Sequence, residues 1–204
     1  MGSSICTPTK LDSPILRRGG NHHFKENDQR ILKEIWTRLE NFTTIDSQNQ
    51  PKSDNKDENQ LHRGRQFLQD FLFCVMTENK SIKICFNLGE IADENLLENS
   101  LFQTHVGNFF EIFRVIFENI NKKFGAVNRK ARSLGQRHKN IRGVKFTDEN
   151  WSFMVNKFTE ILNNEKYVVL NKNEQDLVVK FLFWFFGHMN SAYCKGEDYD
   201  SSED

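Results

Sequence analysis

Residues 133–144 read Ser-Leu-Gly-Gln-Arg-His-Lys-Asn-Ile-Arg-Gly-Val, and this stretch guides the interpretation of the whole chain. In a helix, His138 and Leu134 share one face because they are four residues apart. A second histidine, His105, lies between apolar residues on another predicted helix. A buried imidazole needs partners for its nitrogens, since an unpaired polar group costs about 1–3 kcal/mol. A backbone carbonyl satisfies one such histidine in the ordinary case, but two on separate helices favour a flat apolar cofactor held between them.

Apolar residues recur at helical spacing on both sides of this stretch. Thr147, followed by Asp148 and Glu149, predicts a helix start, because threonine caps a first turn and acids suit the N-terminal dipole. Asn173 with Glu174 predicts the start of the last helix. Since no sustained period-two alternation occurs, the sequence predicts an all-α domain. The apolar stripes are Ile31, Ile35 and Leu39; Phe67, Phe71, Leu72 and Val75; Phe102, Val106, Phe109, Phe113 and Ile116; Trp151, Val155 and Phe158; and Leu177, Phe181 and Phe185.

Polar stretches divide the 204 residues into segments. Residues 1–26 are irregular, carry four basic residues against one acidic residue before Glu26, and are predicted to form a flexible extension. Residues 47–60 contain no aliphatic or aromatic side chain, so they cannot offset ordering entropy by burial and are predicted to be a disordered insertion. Residues 191–204 are predicted to be a solvated acidic tail. The remaining chain, residues 27–190, is predicted to be one domain.

Charge and cysteine usage exclude several classes of protein. The net charge is zero, with 28 basic and 28 acidic residues, so we expect no general attraction for nucleic acid. The four cysteines show no metal-ligand spacing and no haem-attachment motif, and we interpret them as reduced thiols of a cytoplasmic protein. No apolar run is long enough to predict a membrane-spanning helix.

Residues 121–147 contain nine basic residues and no acidic one. Two interpretations remain open for this run. It is either an ordinary solvated face, or it pairs with cofactor carboxylates and contacts an anionic surface.

The stretch 133–144 resembles the proximal-histidine helix of globins, especially neuroglobin-like and nematode globins. Residues 101–105, Leu-Phe-Gln-Thr-His, resemble the distal helix of the same family, and residues 79–86 resemble its third helix, which leads to a phenylalanine that stacks on haem. Trp36 matches a tryptophan of the first helix. Lys80 and Phe109 depart from the family pattern, which usually has a proline and a smaller aliphatic residue there. The resemblance covers about residues 27–190.

The resemblance implies a globin fold, a 3-on-3 helical sandwich, that binds haem b without a covalent link. His138 is then the proximal ligand of the iron and His105 the distal one. The remaining implied contacts are Phe86 and Val144 at the porphyrin, Leu134 beneath it, Leu72 at the distal ceiling, Phe109 over the iron, and Arg137 at a propionate.

We expect a six-coordinate, bis-histidyl haem protein, not an enzyme, that transfers electrons to an unknown redox partner or senses redox state or a gas. One alternative is reversible binding of dioxygen or another diatomic gas for transport or storage. A second alternative is a haem-free globin-like interaction module, in which His105 and His138 fill polar niches.

The first residues, Met-Gly-Ser-Ser-Ile-Cys, predict N-myristoylation of Gly2 and S-palmitoylation of Cys6. Cys6 stands where the myristoylation consensus has serine or threonine. A single myristoyl chain binds membranes marginally, so a second chain or a basic cluster is needed. Lys10, Arg17, Arg18 and Lys25 provide such a cluster. The sequence therefore predicts attachment to the inner leaflet, at the cytoplasmic face of the plasma membrane.

Overall fold

The computed structural model describes residues 24–41, 62–122, 124–139 and 147–195. These ranges contain seven α-helices and no strand, which confirms the predicted all-α class. The helices are α1 (Glu26–Asn41), α2 (His62–Glu78), α3 (Lys80–Cys85), α4 (Ser100–Asn119), α5 (Phe124–Lys139), α6 (Asp148–Leu162) and α7 (Lys172–Lys195), with a single 3₁₀ turn at Asp93–Asn95 between α3 and α4.

Side-chain caps define several helix starts. Asn79 accepts hydrogen bonds from the backbone N–H groups of Ser81 and Ile82, so α3 begins without a proline. Thr147 caps α6, as the sequence predicts, through the N–H of Asn150. The predicted cap of α7, Asn173, is wrong. Instead, the side chain of Asn171 accepts a hydrogen bond from the backbone N–H of Glu174, and the Glu174 carboxylate accepts one from the backbone N–H of Asn171. Helix α7 therefore starts at Lys172.

The helices pack as two layers of three. One layer contains α1, α4 and α5, and the other contains α2, α6 and α7; α4 lies on α2, and α5 on α7. Phenylalanine dominates the space between the layers because these helices present aromatic stripes to each other. The buried phenylalanines at this contact include Phe67, Phe71, Phe102, Phe113, Phe181, Phe185 and Phe186.

The folded part extends slightly beyond the predicted domain bounds at both ends. Phe24 is buried and its ring packs 5.5 Å from that of Phe124 and 5.7 Å from that of Trp184. At the other end, α7 continues to Lys195, past the predicted start of the tail at residue 191. The predicted insertion at 47–60, the stretch 196–204 and the lipidation residues Gly2 and Cys6 lie outside the described residues.

A buried lysine fixes the segment that joins α3 to α4. The ammonium of Lys83 donates to the carbonyl of Ile91 and pairs with the carboxylate of Asp93. Asn87 has a φ of 59°, a left-handed conformation that asparagine tolerates better than most residues. The chain therefore turns sharply after Phe86, which leaves this ring beside α4.

Candidate cofactor site

A cavity of about 410 Å³ lies between α3, α4 and α5, within the range typical of small-molecule sites. Its walls carry both histidines singled out by the sequence, His105 from α4 and His138 from α5. A narrow apolar extension of about 30 Å³ continues inward from it and shares Phe86, Phe109, Leu134 and His138. The other residues around the main cavity are Cys85, Asn108, Glu111, Ile112, Lys130 and Arg137.

His138 is oriented by its own helix. Its Nδ1 lies 2.7 Å from the carbonyl oxygen of Leu134, one turn earlier. Because a carbonyl only accepts, Nδ1 must carry the hydrogen and donate it. The ring is thereby fixed in the tautomer in which Nε2 has the lone pair that a metal requires.

His105 is held on the opposite wall by a different bond. Its Nε2 donates to the carbonyl oxygen of Phe86 at 3.1 Å, and its ring meets the Phe86 ring edge-on with the centroids 4.9 Å apart. Burial lowers the pKa of His105, the hydrogen bond to Phe86 opposes this, and the positive charge that His138 can carry lowers it further. Burial therefore favours the neutral form of His105, and the hydrogen bond to a carbonyl places its hydrogen on Nε2.

Aromatic rings form the apolar part of the cavity. Phe109 follows His105 by one turn of α4, and its ring centroid lies 6.0 Å from that of Phe86 and 6.4 Å from that of Phe113. Leu134 is buried on the side of His138. A flat apolar group fits between these side chains better than a polar one, because few of the lining atoms can hydrogen-bond.

The mouth of the cavity is charged, and its cations come from α5. Lys130 and Arg137 are seven residues apart and so lie on one side of that helix. Across the mouth, Glu111 of α4 pairs with Arg114 at 2.6 Å. The two cations provide partners for carboxylates on a ligand that fills the cavity.

Glycine allows α5 to approach α7 closely. A Cβ on Gly135 would lie 2.1 Å from the backbone oxygen of Met189 and 3.0 Å from the Cβ of Ala192. Any other residue would therefore push the two helices apart. Gly135 lies between Leu134 and His138, so this contact sets the depth of His138 in the cavity.

The structure brings together six of the predicted site residues: Phe86, His105, Phe109, Leu134, Arg137 and His138. Leu72 is not among them; it is fully buried in the core but lines neither the cavity nor its extension. Val144 lies outside the described residues. The sequence analysis did not select Lys130 or Ile112, although Ile112 follows Phe109 at helical spacing and Lys130 precedes Arg137 by two turns.

These features define an all-α protein with an aromatic cavity that presents one imidazole from each of two helices. The globin family model matches residues 69–189, more than half of the chain and including both histidines. The chain therefore belongs to the globin family, whose members bind haem and diatomic gases such as dioxygen. Comparison with curated proteins gave no match, and comparison with solved structures gave none either.

The lining residues fit haem. The tautomer of His138 presents Nε2 to a metal, the aromatic walls suit a porphyrin, and the cations at the mouth suit its two propionates. No group of three or more His, Cys, Asp or Glu that would hold a bare metal ion occurs in the described ranges. Within those same ranges, none of the helices has the length and apolar character needed to cross a membrane.

Proposed function

We propose that this globin holds haem b between His138 and His105 as a six-coordinate centre of neuroglobin-like character. We propose further that it transfers electrons to a redox partner, or senses redox state or a gas, at the cytoplasmic face of the plasma membrane. The observation that carries the proposal is the shared cavity, into which two helices each contribute a histidine. A ligating imidazole must be neutral, and burial lowers the pKa of His105 accordingly.

When bound, haem supplies an iron that alternates between ferrous and ferric states and can take axial ligands. His138 would hold the iron through Nε2, while the Leu134 carbonyl keeps the ring in place through Nδ1. Phe86, Phe109 and Leu134 would contact the porphyrin and exclude water. Arg137, joined by Lys130, would pair with the propionates.

His105 would have to change its hydrogen bonding to become the second ligand. Its Nε2 now donates to the Phe86 carbonyl, so ligation requires that this bond break and that the proton leave Nε2 or move to Nδ1. Phe109 favours ligation by both histidines, because it occupies space beside His105 and leaves less room for an external ligand. Outer-sphere electron transfer is well served by two histidine ligands, since both redox states can keep them.

Membrane attachment is the part of the proposal that depends on the N-terminal sequence. Gly2 and Cys6 would carry myristoyl and palmitoyl chains, and Lys10, Arg17 and Arg18 would add attraction to an anionic leaflet. A Gly2→Ala variant should become soluble on cell fractionation. Unchanged membrane association of that variant would exclude the acyl anchor.

Reversible dioxygen binding, for transport or storage, is the second candidate. It is favoured by the hydrogen on Nε2 of His105, because that N–H could turn from the Phe86 carbonyl and donate to a ligand in the cavity. Absorption spectra separate the two candidates. A ferrous form with one broad green-region band indicates five-coordinate iron and a gas carrier, whereas split bands indicate two histidine ligands.

The decisive experiment is haemin titration of the wild type and three histidine variants, followed by visible spectra in both redox states. We expect His138→Ala to lose tight haem binding, and His105→Ala to bind haem with a changed spectrum. His188→Ala is the matched control, because His188 is also half-buried but does not line the cavity. A wild-type chain that takes up no haemin would overturn the proposal and leave a haem-free interaction module.

A further inference from the structure

The outward side of α5 carries cations that nothing in the described part of the chain neutralises. We define the α5 basic face as Lys122, just before the helix, with Arg129, Lys130 and Arg137. Lys122, Arg129 and Arg137 are exposed. No carboxylate of the described residues pairs with any of the four, whereas cations elsewhere in the fold, such as Arg38, Lys157 and Lys166, do have carboxylate partners.

The charge of this face is local. The whole chain has a net charge of zero, so an anionic surface would not attract the molecule without regard to orientation. The residues 121–147 that include the face contain no acid. An anionic surface that comes within a Debye length of this side, about 8 Å at physiological ionic strength, therefore meets these cations. The nearby carboxylate of Glu111, at the mouth of the cavity, is already paired with Arg114.

The N-terminal extension leaves the folded domain beside the same helix. Phe24 is buried against Phe124, in the first turn of α5, and against Trp184. The chain upstream of Phe24, which includes Lys10, Arg17 and Arg18 of the basic cluster, therefore joins the described domain at the start of α5. A membrane that holds the first residues would be linked to the domain at the end of the α5 basic face where Lys122 lies.

We infer that the α5 basic face binds an anionic lipid leaflet and orients the globin domain on the membrane. This inference rests on the proposed membrane attachment and adds the surface that does the orienting. Lipid is favoured over an acidic protein because the tether point and the cations lie together along one exposed helix. Lys130 and Arg137 belong both to this face and to the mouth of the cavity, so the mouth would open toward the leaflet.

The test uses full-length protein loaded with haem and made without acylation, so that only charge contributes to lipid binding. Partition is measured on vesicles of phosphatidylcholine mixed with phosphatidylserine, and on pure phosphatidylcholine. Each cation near an anionic leaflet contributes about fivefold in affinity. We therefore expect the K122Q/R129Q double variant to bind the mixed vesicles about 25-fold more weakly. Neither residue lines the haem cavity, so the haem spectrum should stay unchanged.

The matched control is R65Q/K80Q, which removes the same charge from exposed positions on α2 and α3. We expect less than about a twofold change in partition for this control, because neither residue belongs to the α5 basic face and screening weakens charges beyond a Debye length from the leaflet. Equal losses in the two double variants would overturn the inference, since binding would then follow net charge. Unchanged binding of K122Q/R129Q to the mixed vesicles would also overturn the inference. Failure of the wild type to bind phosphatidylserine vesicles would overturn it as well, and would favour an acidic protein partner.

The acyl anchor can fail independently. Mass spectrometry of protein from eukaryotic cells reports myristate on Gly2 directly. If Gly2 is unmodified but vesicle binding is intact, the acyl anchor is excluded and lipid binding by the α5 basic face stands. If Gly2 is myristoylated but Lys122 and Arg129 contribute nothing to vesicle binding, the anchor stands and the role of the basic face is excluded.

Discussion

At the scale of single residues, a part-buried cluster of hydrogen bonds outside the cavity is centred on Asp70. Its carboxylate accepts hydrogen bonds from the hydroxyl of Tyr167 at 2.5 Å and from the ammonium of Lys166 at 2.6 Å. Burial would raise the pKa of Asp70, but the bonds from Lys166 and Tyr167 outweigh it and lower that pKa. Burial and the Asp70 charge raise the pKa of Tyr167, which keeps its hydroxyl protonated as a donor. The cluster ties α2 to the turn after α6.

Tyr167→Phe should lower the free energy of unfolding by about 1–2 kcal/mol, because it removes a hydrogen bond to a charged acceptor. Tyr167 is only 2% exposed, so water cannot fully replace the lost hydroxyl. Urea unfolding of the two proteins measures the difference. Lys166→Gln is the comparison: its side chain is 55% exposed, and the loss should stay below about 1 kcal/mol. A larger loss for Lys166→Gln would contradict this assignment.

At the scale of helices, two local devices position the cavity walls. The first is the contact of Gly135 with the backbone of α7, which leaves no space for a Cβ. Gly135→Ala should therefore destabilise the fold by about 3 kcal/mol or more, since backbone atoms cannot rotate away as a side chain would. It should also weaken haem retention, because α5 carries His138.

Gly107→Ala is the matched control for Gly135→Ala. Gly107 lies in α4, two residues after His105, and a Cβ there would meet nothing within 4 Å. Alanine favours a helix interior over glycine, so this variant should be more stable by about 0.5–1 kcal/mol. Thermal unfolding of both variants gives the comparison. Equal tolerance of alanine at the two positions would show that α5 and α7 are not in tight contact.

The second device is the Asn79 cap of α3. Asn79→Ala should cost about 1 kcal/mol, because the N–H groups of Ser81 and Ile82 lose their acceptor. The helix has only six residues and ends beside Phe86, so we expect faster haem loss to an acceptor protein as well. Asn99→Ala removes an equivalent cap from the 20-residue α4 and should cost similar stability without accelerating haem loss. Equal haem-loss rates in the two variants would contradict this role for α3.

At the scale of the whole molecule, the free energy of unfolding should depend on pH through His188, because burial lowers the pKa of this side chain in the folded protein. Burial, and then the charge of Arg132, lower the pKa of His188 in the folded protein. The unfolded chain binds a proton near the ordinary histidine pKa of about 6.5, and the folded chain does so only at lower pH. Stability is therefore complete above that value and falls as the pH decreases from it toward the folded pKa, by at most about 1.4 kcal/mol per pH unit for one group.

Unfolding of the wild type and His188→Gln at about pH 7.5 and about pH 5.5, on either side of the ordinary histidine pKa, tests this dependence. We expect the variant to lose less stability on acidification, because glutamine does not titrate. Identical losses would show that His188 protonates equally in both states. At lower pH Asp70 adds a second loss: its lowered pKa provides stability above about pH 3.9 that disappears as the pH falls through the folded value.

The sequence by itself determined the helical class, the helix start at Thr147, and the position of two histidines on the apolar faces of separate helices. These follow from periodicity, caps and spacing, which are properties of a single helix and its neighbouring residues. The globin resemblance added the order of the helices, which the match to residues 69–189 supports.

The tertiary structure alone decided which helix faces meet. In the tertiary structure Leu72 lies in the core and does not line the cavity, whereas Lys130 lies at its mouth. Gly135 packs directly against the backbone of Met189. His105 also donates a hydrogen bond from Nε2 to the carbonyl of Phe86, which is 19 residues away along the chain. Helical periodicity fixes which side of a helix is apolar, but not the angle and depth at which two helices cross. The crossing angle and depth depend on the packing of side chains that are distant in sequence. Contacts between two helices therefore cannot be predicted from the sequence of either helix alone.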